Sequence, residues 1–463
     1  MCKDIKIQLP KEVETILMKL NNYGYQGYIV GGCVRDSLLN RKPKDWDICT
    51  SALPSDVKKI FDDFHIIDTG IKHGTITILI KHIGYEITTF RREGGYSDCR
   101  HPDTVEFISD IYEDLSRRDF TINAIAYNHH TGIVDPFGGL NDLQNKIIRC
   151  VGDAQIRFKE DPLRILRMLR FQAQLDFGVE SKTLKSAFVN RDLLLNNSKE
   201  RIQTEICKFL YGENGNMASI TNILKYPFSF QLSIFLDIIP EMKDMLGFQQ
   251  NNPYHKYDVF WHTVCALSYV DQDDDLITRL AVLFHDIGKP QCYSEDNKNI
   301  GHFYKHGSVG AEITNKVMKR LRFDNDTRKK VVELVFYHDA TFNLTKKSIC
   351  KWLNRIGEEQ FRRLLAVRKA DVFGQDPESP TLEKRLDKVK RMEKCLDDVL
   401  KEKACFNLNQ LEISGKDLIR IGMPEGKEIG DMLNKLLEKV ISGEVENSRE
   451  KLMEVVNENF SSQ

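Results

Sequence analysis

Two aspartates, Asp45 and Asp47, stand two residues apart a short way behind a glycine pair, Gly31 and Gly32. On a strand, residues at i and i+2 face the same side, with Trp46 turned to the other. Two carboxylates held side by side repel each other unless a cation sits between them. That pairing suits Mg²⁺ ions set against a triphosphate. Gly31 and Gly32 follow a predicted strand and open a predicted helix that contains Val34, Arg35, Leu38 and Leu39. Glycine there lets the backbone come close to a phosphate, and a helix N-terminus favours an anion. Glu86, in the later run YEITTF, completes a trio of candidate catalytic carboxylates. The chemistry to expect is metal-assisted transfer of a phosphate-bearing group.

Such residues need a frame to position them. The run KEVETILMKLNNYG reads as a helix ending at Gly24, and GYIVGG and WDICT read as short strands. TITILI and YEITTF read as two strands joined by a turn at residues 81–84. From about residue 150 onward the strand signals vanish. There, DPLRILRMLRFQAQL, LITRLAVLFHDIG and DTRKKVVELVFYHD carry apolar residues at helical spacing. The expected fold class is α+β, a head with a mixed sheet and helices followed by an all-helical remainder. Turn-rich stretches near residues 212–217 and 374–381 mark candidate boundaries.

The chain has 463 residues, enough for about three domains. With 29% charged and 41% hydrophobic residues it is neither a disordered chain, a collagen-like fibre nor a disulfide scaffold. No apolar run reaches membrane-spanning length, so no membrane partner is expected. The opening MCKDIKIQLPKEVE has no apolar signal-peptide core. The eleven cysteines are scattered singly, which suits free thiols in a reducing compartment and a cytoplasmic location. Net charge is −1, yet basic residues outnumber acidic ones over residues 146–210 and the reverse holds from residue 396 onward. A neutral protein can thus carry a phosphate-binding segment.

Taken in order, the glycine pair, VRD at 34–36 and DWD at 45–47 resemble the first motif of nucleotidyltransferases of the DNA-polymerase-beta type. The version here resembles the branch shared by CCA-adding enzymes and bacterial poly(A) polymerases. RRDFTINA at 117–124 resembles that branch's second motif. The resemblance implies that Gly31, Gly32, Arg35, Arg118, Asp119 and Asn123 bind the nucleotide. Arg118 and Asn123 would contact the triphosphate, and Asp119 would accept a bond from a ribose hydroxyl. DPFGGL at 135–140 matches a third motif, a joint between head and neck. RREGGYSDCRHPDTVEF, just before RRDFT, resembles the flexible loop of enzymes that add A, a loop that enzymes adding only CC tend to lack.

EDPLRILRMLR at 160–170 resembles the nucleotide-selecting motif EDxxR of the same branch. Its chemistry also follows from the bases. Cytosine and adenine each present an amino donor beside a ring-nitrogen acceptor, whereas uracil and guanine reverse both. One carboxylate and one arginine, here Asp161 and Arg164, therefore accept C and A and reject U and G. The two are three apart, hence neighbours at a helix start, with Asp161 as N-cap and Pro162 as first helical residue. Arg167 and Arg170 continue along the helix and would serve the nucleotide and its phosphates.

His285 and Asp286 sit in LAVLFHDIGKP, with His262 upstream and His306, His338 and Asp371 downstream. This ordered set resembles the HD superfamily of helical, metal-dependent phosphohydrolases. The resemblance implies one divalent ion on His262, His285, Asp286 and Asp371, with His306 and His338 supporting a second. Imidazole and carboxylate ligands without cysteine suit Mn, Ni, Fe or Mg. The tail resembles the C-terminal region of CCA-adding enzymes. Cys33, Pro162 and Lys305, the last where glycine is usual, depart from the family pattern.

The expected organisation is a nucleotidyltransferase head at 1–145, a nucleotide-selecting and RNA-binding neck at 146–215, an HD-type body at 216–395 and a tRNA-binding helical tail at 396–463. The expected activity is template-free addition of CCA to the tRNA 3′ end from CTP and ATP, with Mg²⁺ at the head and an additional HD phosphohydrolase activity. The protein would act as a monomer or homodimer. Rivals are an A-adding enzyme working beside a CC-adding one, a poly(A) polymerase, and an HD phosphohydrolase whose head delivers RNA. A catalytically dead RNA-binding protein sits poorly with the intact carboxylates.

Overall fold

The computed structural model describes residues 5–96, 102–211, 217–226, 229–252 and 255–460. The expected loop over residues 94–102 and the turn-rich stretch at 212–217 therefore fall largely outside the described residues. The chain forms two compact units, Met1–Pro240 and Glu241–Gln463.

The first unit is built on strands β1 (Gly27–Val30), β2 (Ile48–Thr50), β3 (His65–Ile67), β4 (Thr75–Ile80) and β5 (Ile83–Thr89). A hairpin follows, β6 (Arg91–Gly94) with β7 (Thr104–Phe107), and then β8 (Ala126–Asn128) and β9 (Gly132–Val134). Seven strands form one sheet in the order β3-β4-β5-β2-β1-β8-β9, and the hairpin pairs separately. β2 and β5 run parallel and the other neighbours antiparallel, which makes the sheet mixed. The expected turn between β4 and β5 is present, with Lys81 and His82 both at positive φ as a tight hairpin turn requires. Tyr28 and Val30, two apart on β1, pack with Cys49, Phe90 and Ala126 against Ile111 and Leu115. The intervening Ile29 is equally buried and points to the opposite face. A strand sealed on both faces fixes where the glycine turn at its end can point.

Three expectations need correcting. Asp45 and Asp47 precede a strand rather than lying on it, because β2 starts at Ile48. Asp47 O still accepts the Val30 N–H at 3.0 Å, and pairing stops there because β1 ends and the chain turns at Gly31. Strand pairing also continues past residue 150. Ile147–Ile148 pairs with Gly178–Val179, and Ser294–Glu295 with Gly301–His302, each too short to show a period of two. Finally, the helix expected to start at Pro162 spans Leu163–Leu175, after a separate helix Ala154–Glu160. Asp161 marks the break between them, and its Oδ1 accepts the Leu163 N–H at 3.2 Å.

The second unit is helical apart from that short strand pair. Helices Val259–Ser268, Leu276–Phe284, His306–Arg320, Asn325–Tyr337 and Lys346–Gly374 pack on one another. Asp258, Asp275 and Asp324 cap three of them by accepting the N–H of Trp261, Thr278 and Thr327. Helices Leu382–Lys401, Lys427–Ser442 and Arg449–Phe460 complete the unit. Lys305 lies in the left-handed region (φ 64°), which explains why glycine would suit that position. Among the described residues no helix is long and apolar enough to cross a membrane.

One close approach sets the geometry of this unit. A Cβ on Gly288 would lie 2.4 Å from His306 O and 2.5 Å from Gly310 N. Gly288→Ala must therefore push the loop after Asp286 off the helix His306–Arg320. We expect a loss of about 2–4 kcal/mol in urea unfolding. Gly430→Ala, where a Cβ meets nothing within 4 Å, should instead be neutral or slightly stabilising.

Candidate active sites: a nucleotide cleft and a histidine–carboxylate centre

The first unit holds a cleft of about 770 Å³. Ten of its lining residues are Lys or Arg and six are Asp or Glu, a balance suited to a polyanionic ligand. Gly31 and Gly32 line it beside Arg35, Asp45 and Asp47. Gly31 has φ +79°, and a Cβ there would come within 3.2 Å of Arg118 Nη1. Glycine is needed for the turn and for the arginine's approach. The protein packed around Asp47 and the neighbouring Asp45 and Glu86 carboxylates push its carboxyl up to about 6, against the pull of Arg118. Asp45 and Asp47, which line the cleft and offer only oxygen donors, fit a hard divalent cation. Glu86 sits on β5 one register step from the Ile48 and Ile87 pair and is exposed. It acts on Asp47 electrostatically but does not line the cleft as Asp45 and Asp47 do.

The cleft arginines are tied down in a chain. Arg35 donates from Nε to Asp36 Oδ1 (2.8 Å) and from Nη1 to Asn123 Oδ1 (2.7 Å). Asn123 Nδ2 donates to Asp119 Oδ1 (3.1 Å), and Arg167 Nε donates to Asp119 Oδ2 (2.8 Å). Burial alone would raise the Asp119 carboxyl, but Arg167 and Asn123 hold it well below the usual carboxylate range. Both its oxygens are engaged within the protein. Arg118 Nη2 lies 3.3 Å from Asp114 Oδ2, and Arg170 Nε donates to Glu205 Oε2 at 2.6 Å.

The structure brings Asp161 and Arg164 into the same cleft, but each is held by a different partner. Arg164 donates to Glu160 Oε2 and to Arg117 O, both at 3.0 Å. Asp161 Oδ2 accepts from Arg201 Nη2 at 2.8 Å. Glu160 stood in the EDxxR run and was passed over. Arg201 and Glu205 lie 40 and 35 residues from their partners, and nothing local in the sequence signals them. Glu93, on β6, accepts from Arg91, Arg117 and Tyr96 and was also missed.

The second unit gathers all six HD residues. His262, His285, Asp286 and Asp371 form one group, and Asp286, His306 and His338 another; within each group the ligand atoms lie within 4.8 Å of one another. Asp286 is shared. Its Oδ2 lies 3.2 Å from the Nε2 atoms of His262 and His285, and its Oδ1 3.6 Å from those of His306 and His338. His285, His306 and His338 each direct Nδ1 to a backbone carbonyl at 2.7 Å, of Val282, Phe303 and Val335. A carbonyl can only accept, so Nδ1 carries a proton and Nε2 is the nitrogen left to face the cluster. The Nε2 atoms of His306 and His338 then face each other at 3.0 Å. Two lone pairs at that distance repel, and a cation between them removes the conflict. These donors fit a divalent metal.

An αβ head that sets paired aspartates beside a glycine turn and an arginine-lined cleft is the head of a nucleotidyltransferase. Residues 27–149 match the Poly A polymerase head domain, and residues 303–456 match tRNA nucleotidyltransferase domain 2. The chain is 35% identical over 443 residues to the CCA-adding enzyme of Lactobacillus delbrueckii subsp. bulgaricus, covering 95% of both chains. It is 33% identical over 449 residues to that of Ligilactobacillus salivarius, covering 96% of this chain and 95% of the relative. The crystal structure of the Bacillus stearothermophilus CCA-adding enzyme in complex with CTP superposes with a TM-score of 0.69 at 27% identity, over 98% of this chain and 100% of that one. The chain belongs to the family of CCA-adding enzymes.

The HD-like centre makes a further measurable demand. Burial disfavours a charged His285, but Asp286 and Asp371 outweigh it and push the imidazole up to about 10. At pH 7 that ring holds a proton which an arriving metal must displace. Binding of Mn²⁺ at pH 7 should thus release protons from His285 and His262, whose imidazoles the same two carboxylates push up, and the release should shrink as the pH is raised. Calorimetry in buffers of different ionisation enthalpy, with the Asp286→Asn chain as reference for other sites, measures this directly.

Proposed function

We propose that the first-unit cleft transfers CMP, CMP and then AMP from CTP and ATP to the 3′ end of tRNA, releasing pyrophosphate at each step. The observation that carries this reading is the convergence of Asp45 and Asp47 with Asp161 and Arg164 in a single cleft. The terminal 3′-oxygen attacks the α-phosphorus, and the bond from that phosphorus to the β-phosphate bridge oxygen breaks. Asp45 and Asp47 are the residues that would hold Mg²⁺, aided by the field of Glu86. When bound, the ions favour ionisation of the 3′-hydroxyl and neutralise the departing pyrophosphate. Arg118, Asn123 and Arg35, beside Gly31 and Gly32, draw the triphosphate to the turn after β1. Asp119 acts by fixing Asn123 and Arg167. Asp161 accepts from the base amine and Arg164 donates to the ring nitrogen, so C and A are bound and U and G are not. Arg167 and Arg170 supply charge along the same helix.

Within this reading, residues 1–145 are the catalytic head, 146–215 the nucleotide-selecting neck, 216–395 the HD-type body, whose residues up to Pro240 fall in the first compact unit, and 396–463 a tail for the outer part of tRNA. The nine described cysteines are all free thiols, which supports a cytoplasmic setting.

The test supplies each NTP separately to tRNA lacking three, one or no terminal nucleotides. CTP alone should extend the first by two residues, ATP alone the second by one, and the complete tRNA should accept none. Failure to add C, with good addition of A to tRNA ending in CC, would move the reading to an A-adding enzyme. Asp45→Ala or Asp47→Ala should drop turnover below about 1% of wild type, a loss of about 2.7 kcal/mol or more of transition-state stabilisation. Binding to tRNA, which rests on phosphate contacts elsewhere, should survive.

A second activity is favoured by the facing Nε2 atoms of the second unit. We infer metal-dependent hydrolysis of phosphoesters there, with Mn, Ni, Fe or Mg as candidate ions. Asp286→Ala should abolish Mn²⁺-dependent hydrolysis of a simple phosphodiester and leave CTP addition within about twofold of wild type. A folded variant that lost both activities would show the two centres to be one.

A further inference from the structure

Phe171 lies on the cleft helix and is 4% exposed, yet it lines the nucleotide cleft. Three guanidinium groups surround its ring. Arg170 is 4.1 Å from the ring centroid, Arg35 5.0 Å and Arg167 5.4 Å. Phe120 meets the ring edge-on, at 5.8 Å and 85°, which fixes the plane of the ring. Three cations gathered around one side chain repel one another. Each has a carboxylate partner, Asp36, Asp119 or Glu205, but those three acids sit on three different segments of the chain. All three cations lie over this one ring, and the negative face of an aromatic ring attracts a guanidinium. An aliphatic side chain of similar size would fill the space and offer no such attraction.

We propose that Phe171 is a positioning residue for nucleotide binding. Its π-face holds Arg35, Arg167 and Arg170 together, so that an incoming CTP or ATP meets a cationic surface already assembled. The proposal rests on the cleft being the CTP and ATP site.

The test replaces Phe171 with 4-fluoro-, 3,5-difluoro- and 3,4,5-trifluorophenylalanine by nonsense suppression in the full chain. Fluorine withdraws charge from the ring face stepwise and barely changes its shape. CTP and ATP dissociation constants should rise by about twofold per fluorine, reaching about eightfold at three. Turnover at saturating nucleotide should change little, and thermal unfolding should stay within a few degrees. A flat series of dissociation constants, with wild-type addition of C and A intact, overturns the role of Phe171 and leaves the proposed function standing. If wild-type protein adds neither nucleotide to tRNA, the function reading falls instead. A merely structural ring would move the unfolding temperature and not produce a graded loss of nucleotide affinity.

Discussion

Arg167 reaches from the helix Leu163–Leu175 to Asp119 and places its Nε 2.8 Å from the carboxylate. Much of the cleft follows from that contact. Asp119 passes the constraint to Asn123, and Asn123 passes it to Arg35 on the helix that follows the glycine turn. The glycine turn and the helix Leu163–Leu175 are therefore linked by consecutive hydrogen bonds. A buried ion pair adds little net stability, because desolvating both charges offsets most of their attraction. Its value here is geometric. Bonds of this kind have preferred lengths and angles, and they fix where the charges sit before a nucleotide arrives.

Both centres are sets of like charges or lone pairs crowded together, and they differ in what they would accept. In the first unit the donors are carboxylate oxygens open to the cleft, which suits a small, hard cation that keeps some of its water. In the second unit four histidines and two aspartates converge, with His262, His285 and Asp286 at most 1% exposed. Histidine Nε2 donors, with the Nδ1–H groups of His285, His306 and His338 donated to backbone carbonyls, suit a softer ion bound by direct contacts. Lys289 Nζ, 2.7 Å from Asp286 Oδ2, supplies one local positive charge to the same carboxylate.

The parts of the site that were legible in the sequence are those that depend on short spacing. A glycine pair before a helix, aspartates two apart, and a carboxylate three residues before an arginine all carry their chemistry locally. The α+β head and the helical remainder were legible for the same reason, since periodicity is a local property. What escaped was tertiary. Arg201, Glu205 and Phe171 acquire their meaning only when helices Lys199–Tyr211 and Leu163–Leu175 pack side by side. The hairpin β6 with β7 escaped because its glycines and charges read as a loop. The edges of β2 escaped because a strand ends where its partner ends, and that partner is 18 residues away at Val30. The shared Asp286, bridging two groups of histidines, could not be read from a dipeptide.

On the proposed reading, base selection poses a problem that Asp161 and Arg164 would not solve alone. Cytosine and adenine offer the same donor and acceptor pattern on the edge that Asp161 and Arg164 face, yet a purine is deeper than a pyrimidine. Accepting first one and then the other requires the reading groups to shift relative to the phosphates without changing their chemistry. The side chains of Arg164 and Asp161 have different tethers, while the Arg164 N–H donates to Asp161 O at 3.0 Å and joins their backbones. Arg164 bonds to the carbonyl of Arg117, and the Arg117 side chain bonds to Glu93 on β6. The hairpin of β6 and β7 is thus one residue removed from Arg164. Asp161 is instead tied through Arg201 to the helix Lys199–Tyr211. On the proposed reading, a displacement of the hairpin would act first on the donor of the pair, through Arg117. The depth of the pocket would then change while the donor and acceptor pattern proposed to exclude U and G is kept.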